Sequence, residues 1–238
     1  QVEPRLIVDA LVTNKAGWNW VNLSWSTAFD AKTAPEPITN AVVIIKENNT
    51  TLDTFQYYES GYYFMSKPWI AKIGNQYTLV IFHQGETYLS ESELLTVPAI
   101  DSLTYRYRED VEEDDIGYYT SLHFQDPSNT QNFYRWNYYE NNKPLWDDYF
   151  FETDIRFNGN YISGFELNEE AQIGDTVRIE QYSLTEEAFE FLRQLKEQKR
   201  FGEPFDTPPA NVEGNISNGA IGLFQVSAVS EMTIVINP

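Results

Sequence analysis

Paired carboxylates are the residues of this sequence best suited to catalysis. Asp147 and Asp148 follow Trp146, and Glu152 and Asp154 come a few residues later. Two carboxylates that flank a glycosidic bond can act as general acid and as base or nucleophile, which is the chemistry of glycoside hydrolases. In a chain with 36 Asp and Glu residues, however, such pairs arise freely. A carboxylate-based glycoside hydrolase is therefore our third interpretation, and we expect a protein that is not an enzyme.

Nucleophilic and cofactor-dependent chemistry lacks its usual residues. The chain contains no cysteine, and His83 and His123 are its only histidines. Neither histidine stands near the Gly-x-Ser-x-Gly turn that would present a serine nucleophile. The segment 214–219 has glycines at both ends but lacks the lysine that a phosphate-binding loop requires. We expect two structural histidines and no cofactor.

An acidic run at 109–115 offers oxygen ligands for calcium. Asp110, Glu112 and Asp114 are the candidate ligands, because closely spaced carboxylates suit that ion. The run lacks the glycine and the final glutamate of a helix-loop-helix calcium loop. Our main expectation is a solvated connection between two strands, with no assigned metal.

The aromatic segment 132–139 is the candidate recognition element. Strand alternation places Tyr134, Trp136 and Tyr138 on one face, and these residues, with Trp146, are our candidates for ligand or partner binding. The alternative is that both faces pack in a core. On the opposite face, Arg135 is expected to form an ion pair with a buried carboxylate such as that of Asp126.

Short strands separated by turns must position these residues. Period-two patterns and apolar runs predict seven or so strands in the first hundred residues, with hairpin turns at 47–50 and 84–85. This spacing is typical of an immunoglobulin-like or transthyretin-like β-sandwich, which we assign to residues 1–99. Pro98 and the segment 100–102 mark the predicted boundary. We assign residues 100–238 to a second β-rich domain.

The second domain contains the only predicted helix, at about 183–200. Ser183 and Glu186 have the spacing of a capping box, in which each side chain satisfies a free N–H group of the first turn. Apolar residues then recur with helical spacing and form a single stripe. We expect the proline-rich segment 202–209 to be an extended loop across the second sheet.

Composition excludes some partners. The formal net charge of −20 repels nucleic acid and anionic lipid surfaces, so we expect no nucleic-acid partner. No apolar run reaches the roughly 20 residues that a membrane-spanning helix needs. Because the chain begins at Gln1 rather than at methionine, we expect a processed or trimmed sequence.

The order of several short motifs resembles a known family. The matching segments are 6–8, 21–24, 41–43, 61–63, 74–79, 88–90, 100–102, 124–127, 133–136, 174–175, 204–205 and 222–224. In this order and spacing the chain resembles Bacteroidota outer-membrane lipoproteins that are catalogued only as a domain of unknown function, family number 4249. Genes for such proteins often stand beside those for TonB-dependent transporters.

This resemblance implies a function and a location. It implies an N-terminal domain similar to carboxypeptidase regulatory-like sandwiches, followed by a family-specific β domain. It also implies a lipid anchor on a cysteine immediately upstream of Gln1, and therefore a place on the outer membrane, at the cell surface. The implied role is that of a non-enzymatic accessory or substrate-capturing subunit of a TonB-dependent transporter complex. The alternative is a structural or adhesive surface protein without a transporter.

Overall fold

The computed structural model describes residues 3–26, 35–109, 116–128, 130–200, 212 and 214–238, without the side chains of 146–149 and 198–200. The described residues form strands and a single α-helix, which confirms the predicted mostly β class with one helix. Among these residues no helix is both long enough and apolar enough to cross a membrane. The predicted loop 202–209 lies outside the described residues.

The elements follow one another along the chain with the helix late in the order. The strands are β1 (Leu6–Thr13), β2 (Trp20–Trp25), β3 (Val42–Glu47), β4 (Thr50–Tyr57), β5 (Tyr62–Phe64), β6 (Gln76–His83), β7 (Glu86–Glu93), β8 (Ser102–Arg108), β9 (Gly117–Gln125), β10 (Phe133–Glu140), β11 (Lys143–Thr153), β12 (Tyr161–Ala171), β13 (Thr176–Leu184), β14 (Ile221–Ser227) and β15 (Val229–Val235). The helix α1 spans Glu186–Arg200, and a short 3-10 turn spans Asp154–Arg156.

Contacts divide the chain into two compact units, each built from two stretches. The first unit comprises Gln1–Thr96 and Leu184–Ala228, and the second comprises Val97–Ser183 and Val229–Pro238. Helix α1 therefore belongs to the same unit as the first 96 residues. The sequence-based division into domains 1–99 and 100–238 stays a prediction, and it differs from these contact units.

The first unit is built on an eight-stranded sheet in the order β14-β1-β2-β5-β4-β3-β6-β7. Its strands pair antiparallel except β1 and β14, which run parallel from Ile7 opposite Ile221 to Thr13 opposite Ser227. Antiparallel neighbours need only short turns, whereas a parallel pair needs a long connection. The connection between β1 and β14 comprises most of the chain, since β1 ends at Thr13 and β14 begins at Ile221.

The two edge strands of this sheet approach each other. Leu95, just after β7, forms a parallel bridge with Ser227 at the end of β14. Ser217 also donates its backbone N–H to the Leu89 carbonyl at 2.8 Å, and its hydroxyl accepts from the Leu89 N–H at 2.7 Å. These bonds occupy backbone groups of β7 that would otherwise be open at a sheet edge.

Glycine allows the late strand to approach the first one closely. Gly222 has φ +120°, and a Cβ atom added there would lie 1.8 Å from the Val8 carbonyl oxygen. A Cβ on Gly214 would lie 1.7 Å from the Gly222 carbonyl oxygen. No larger residue fits either contact, so both glycines are required by backbone packing rather than by turns.

Three hairpins close with two-residue turns of positive φ. Residues 48–49 connect β3 to β4 and residues 84–85 connect β6 to β7, at the two turns that the sequence predicts. Residues 141–142 connect β10 to β11 in the same manner. Two successive residues of positive φ form the turn whose twist matches that of paired strands.

The N-terminus of the helix differs from the prediction. Thr185, and not Ser183, is the N-cap: its hydroxyl accepts the Ala188 N–H at 3.2 Å. Ser183 is instead a buried residue of β13, because this strand continues to Leu184. Glu186 is therefore the first helical residue, too early for the reciprocal bond of a capping box. The predicted box was wrong, while the helix itself is confirmed.

The second unit contains two sheets around an aromatic core. One sheet has the order β11-β10-β13-β15 and the other β12-β9-β8. Phe124 from the three-stranded sheet contacts Tyr134 and Trp136 from the four-stranded sheet, with ring centroids 5.7 and 6.5 Å apart. The ring centroids of Trp136 and Phe165 are 4.5 Å apart. Aromatic packing of this kind stabilises beyond the area it buries.

His83 is a buried polar residue of the first unit. Its ring packs against Trp25 with centroids 5.5 Å apart, and its Nε2 atom has no hydrogen-bond partner. Burial lowers the pKa of His83, because the charged imidazolium is poorly solvated there.

We predict that Gly222→Ala destabilises the first unit far more than Gly74→Ala, a change in the same unit. Both glycines have positive φ, but a Cβ on Gly74 meets nothing within 4 Å. Placing alanine at a positive φ lowers the free energy of unfolding by about 1–2 kcal/mol. At Gly222 the added clash with the Val8 carbonyl raises this decrease to roughly 3 kcal/mol or more. Urea unfolding of both variants measures the difference. Equal losses would contradict the close approach.

We predict that His83 makes the protein less stable as pH falls. Since the folded-state pKa lies below the unfolded value, the unfolded chain protonates first as pH drops through about 6.5. His83 therefore leaves the free energy of unfolding unchanged at neutral pH and lowers it as the pH falls below about 6.5. In His83→Leu the loss of free energy of unfolding between pH 7 and pH 5 should be smaller than in the wild type. An unchanged loss would contradict the assignment.

Candidate binding surface

Four aromatic side chains, Trp20, Tyr58, Tyr62 and Phe64, form what we call the aromatic surface of the first unit. Trp20 in β2 is the register partner of Phe64 in β5. Tyr62 stands two residues from Phe64 on the same face of β5, and Tyr58 follows β4, which pairs with β5. Trp20 of β2 and the two outward rings of β5, with Tyr58 beside them, therefore share one face.

The rings contact one another across the strands. Trp20 and Tyr62 meet edge to face with centroids 5.7 Å apart, and Tyr58 and Phe64 do so at 5.9 Å. Tyr62 and Phe64 stack at 6.1 Å with an interplanar angle of 14°. Edge-to-face and offset-stacked pairs are the favoured aromatic geometries. The side chains thus hold each other in place.

The rings nevertheless remain in contact with water. Tyr58 is 69 % exposed, Tyr62 38 % and Phe64 37 %. Single exposed apolar residues are common on soluble proteins, but contiguous apolar patches mark sites of interaction. Exposed aromatics on adjacent strands are therefore the strongest indication of a binding surface in the described part of the chain.

Buried anchors fix the strand that carries these rings. Tyr63, between Tyr62 and Phe64, points inward, and its hydroxyl donates to the Ile38 carbonyl at 2.9 Å. The same hydroxyl accepts the Ala41 N–H at 3.1 Å. A strand of three residues has little pairing of its own, so these bonds make its outer face rigid.

The turn before β5 is also fixed. Gly61 has φ +83°, and a Cβ there would lie 2.4 Å from the Leu23 carbonyl oxygen. Tyr62 donates its N–H to the Glu59 carbonyl at 2.7 Å, and Asn22 donates its side-chain N–H to the Ser60 carbonyl at 3.1 Å. A side chain at position 61 would push β5 away from β2 and separate Trp20 from its neighbours.

The polar neighbours of the aromatic surface are mostly neutral. Asn22 is the register partner of Tyr62, and Gln56 is the partner of Phe64. Asp9, paired with Asn22 on the far side, brings a carboxylate to the margin. Aromatic faces beside amide groups can stack on sugar rings or apolar side chains and donate or accept hydrogen bonds at the edge. This chemistry suits a neutral ligand rather than an anion.

The predicted binding residues lie elsewhere and are core. Tyr134 is 0 % exposed, and Trp136 and Tyr138 are each 1 % exposed. Trp136 donates its indole N–H to the Gln181 side-chain oxygen at 2.8 Å, so its polar group is satisfied internally. The expectation of a stacking face was wrong, and the alternative of core packing holds for these three side chains. The side chain of Trp146 lies outside the described residues.

Asp126, the carboxylate given as an example of a partner for Arg135, lies on the other face of β10. Asp126 accepts the Tyr134 hydroxyl at 2.6 Å and the Gly159 N–H at 2.8 Å. Arg135 points to the opposite face of β10, where it contacts the Asn137 side-chain oxygen at 3.2 Å and lies over the Tyr182 ring. Alternation separates the two, because Asp126 faces the side of β10 that carries Tyr134.

The candidate carboxylates of a hydrolase do not form an exposed pair among described side chains. Glu152 is exposed, while Asp154 is fully buried and is out of reach of a substrate. The side chains of Asp147 and Asp148 lie outside the described residues.

His123 shares a 2.8 Å hydrogen bond with the Thr104 hydroxyl on an exposed face.

Metal ligation by clustered titratable residues finds no support in the described part of the chain. No group of three or more His, Asp or Glu side chains converges there. The calcium candidates Asp110, Glu112 and Asp114 lie outside the described residues.

An acidic depression lies beside α1. It is lined by Glu91, Glu186, Glu187, Glu190, Gln194, Gly214 and Asn215.

The sequence contains a signal for the aromatic surface that the prediction did not use. Residues 55–64 include six aromatics, with Gly61 directly before the alternating trio of Tyr62, Tyr63 and Phe64. Alternation alone puts Tyr62 and Phe64 on one face. Which face meets water depends on the neighbouring strands, and only the topology supplies these.

Comparison with known proteins agrees with the resemblance seen in the motifs. No curated protein is significantly similar to the chain. The family model described as Domain of unknown function (DUF4249) matches residues 1–233 of the 238. Since the match covers nearly the whole chain, the protein belongs to this family of domains of unknown function.

Proposed function

We propose that the protein is a non-enzymatic binding protein that captures a partner or substrate through the aromatic surface. In this proposal it acts as an accessory subunit of a TonB-dependent transporter complex. It stands on the outer membrane at the cell surface, held by a lipid anchor upstream of Gln1. The observation that carries the binding role is the contiguous, exposed aromatic surface on β2, β5 and the end of β4.

The free energy gained by burying apolar area favours binding at the aromatic surface. Burying exposed apolar area yields roughly 25 cal/mol per Å², and aromatic residues dominate the free energy of protein interfaces. The aromatic surface is also preorganised by the Tyr63 anchors and the Gly61 turn, so little conformational entropy is lost when a partner binds. A rigid, neutral aromatic face is well suited to either a protein partner or a saccharide.

A structural or adhesive role without a transporter is the second candidate. It would use the same aromatic surface, because stacking on polymer rings needs the same exposed faces. The two roles differ in the partner: a membrane transporter in the first, and a matrix or host polymer in the second.

We predict that Tyr58→Ala and Phe64→Ala together abolish capture of the transporter. Truncating a central aromatic contact costs about 2–4 kcal/mol, which is more than a tenfold loss of affinity. Native membranes solubilised in mild detergent, with the tagged protein as bait, provide the measurement. The wild type should retain a TonB-dependent transporter that the double variant loses.

The matched control is Tyr107→Ala with Tyr161→Ala, two exposed tyrosines of the second unit. This variant should retain the transporter as the wild type does. If the wild type recovers no transporter, the transporter role fails. Binding to a polysaccharide or matrix panel that depends on Tyr58 and Phe64 would then favour the adhesive role. Equal recovery by all variants would exclude the aromatic surface.

A further inference from the structure

The loop between β5 and β6 differs in charge from the rest of the chain. It spans residues 65–75 and contains Lys67 and Lys72. No aspartate or glutamate occurs from residue 60 to residue 85, although acidic residues make up 36 of the 238 in the chain. The loop is therefore a locally basic segment of a strongly acidic protein. We call residues 65–75 the Trp69 loop.

The Trp69 loop also exposes apolar side chains. Ile70 and Ile73 are each 53 % exposed, and Trp69 is partly exposed. The Trp69 ring lies edge to face on Tyr77, with centroids 5.3 Å apart, so its position is fixed. Isoleucine is among the residue types most often buried. Two exposed isoleucines beside a tryptophan in one short loop therefore indicate a surface that another apolar phase can cover.

The two lysines flank these apolar side chains in the sequence. Lys67 is exposed, and none of the ion pairs among the described residues involves it. The side chain of Lys72 is 69 % exposed, and its Nζ atom lies 3.7 Å from a Glu47 carboxylate oxygen. Such an exposed pair is weak. Both ammonium groups are thus accessible to an anionic partner.

Two carboxylates lie at the base of the Trp69 loop, and both accept hydrogen bonds there. Glu47 accepts the Tyr77 hydroxyl at 2.7 Å and the Asn75 side-chain N–H at 2.8 Å. Asp53 accepts the Ser66 hydroxyl at 3.0 Å. These bonds hold the carboxylates against the base of the loop, while the lysines reach outward from it.

Backbone contacts with a neighbouring turn fix the Trp69 loop. Ala71 donates its N–H to the carbonyl of Thr13, the last residue of β1, at 3.0 Å. The Asn19 side chain, just before β2, donates to the Trp69 carbonyl at 2.8 Å. The apolar side chains are therefore presented by a loop that is already ordered, which reduces the entropy lost on binding.

We propose that the Trp69 loop docks the first unit on a phospholipid bilayer. Ile70 and Ile73 enter the boundary between head groups and acyl chains, Trp69 lies at the level of the head groups, and Lys67 and Lys72 reach lipid phosphates. Tryptophan is enriched at this interface. Lysine can bury its alkyl stem and keep its charge in the polar layer, and a lysine near the surface is attracted by anionic head groups.

The net charge of −20 does not prevent this contact. Salt largely screens exposed charges that are farther away than about 8–10 Å. A bilayer that meets the Trp69 loop first is therefore attracted by the two lysines of the loop more than it is repelled by distant carboxylates. An acidic protein would also attract the lysines. We favour the bilayer because phosphates and acyl chains lie side by side there, and the loop presents the matching pair of lysines and isoleucines.

Docking through one loop is weak and complements a second attachment. Lasting membrane association takes two signals, such as a lipid chain and a basic patch. β1 begins near the start of the chain and ends at Thr13 beside the Trp69 loop. A bilayer that meets both the loop and an anchor upstream of Gln1 would therefore lie along β1 rather than across its end. The docking itself requires neither the anchor nor a transporter.

Co-sedimentation of the chain, without any lipid anchor, with vesicles of mixed phosphatidylcholine and phosphatidylglycerol tests the proposal. The wild type should sediment with the vesicles. Ile70→Asn with Ile73→Asn should lower the partition coefficient about tenfold or more, because the inserted apolar area is lost. The matched control is Ile155→Asn with Ile173→Asn, two isoleucines of the second unit that are 69 % and 54 % exposed. This control should sediment as the wild type does.

Two further readouts identify the contact. Lys67→Gln with Lys72→Gln should weaken binding to the mixed vesicles more than binding to pure phosphatidylcholine vesicles, because only the former carry net negative charge. Brominated lipids should quench the tryptophan fluorescence of the wild type, and they should quench that of Trp69→Phe less.

Each outcome decides the question. If the wild type sediments with neither kind of vesicle, the bilayer proposal is overturned, and an acidic protein becomes the partner to seek. Equal losses in the two isoleucine pairs would exclude the Trp69 loop. Vesicle binding that is lost in Tyr58→Ala with Phe64→Ala, but kept in Ile70→Asn with Ile73→Asn, would assign the lipid contact to the aromatic surface. Transporter capture by the isoleucine variant would show that the proposed function stands or fails separately.

Discussion

The parallel pairing of β1 with β14 is the interaction on which the first unit depends. It joins a strand near the start of the chain to one that is more than 200 residues later. Gly222 permits it, since any side chain there would meet the Val8 carbonyl. Because β14 is fixed in this way, the segment 214–220 can cover the edge of β7 through Ser217 and Leu89. The entropic cost of closing a loop increases only slowly with its length, so a pairing between strands this far apart is not much more costly than one across a shorter loop.

Local features of this fold could be predicted from sequence, and long-range ones could not. Residues 48–49 and 84–85 form hairpin turns as expected, because turn chemistry acts over four residues. The apolar stripe of α1 likewise predicts a helix. The N-cap of that helix was misjudged by two residues, since pairing with β15 keeps β13 extended and Ser183 is a buried residue at the end of that strand. No pattern within β1 or β14 reveals that they are neighbours.

Two aromatic strands show why the exposed aromatic surface escaped prediction. Both β10 and β5 alternate aromatic residues with a period of two, and the periodicity itself is symmetric between core and solvent. β10 lies between β11 and β13 in a sheet whose inner face packs on Phe124, so its Tyr134 face is enclosed. β5 lies between β2 and β4, and there the inward residue is Tyr63. The face that meets water is thus set by what packs on the other side of each sheet.

Buried carboxylates of the second unit show two ways of meeting one electrostatic demand. Most acidic residues of a chain with net charge −20 are solvated, and their charge needs no partner. Glu180 is 1 % exposed, and it forms an ion pair with Arg178 and accepts the Tyr182 hydroxyl at 2.7 Å. Asp154 is as deeply buried, but the hydrogen bond described for its carboxylate comes from the backbone N–H of Asn132. Within one unit, the same cost of burial is offset by a guanidinium in one place and by no described cation in the other. That difference, more than the number of acidic residues, distinguishes Asp154 from Glu180.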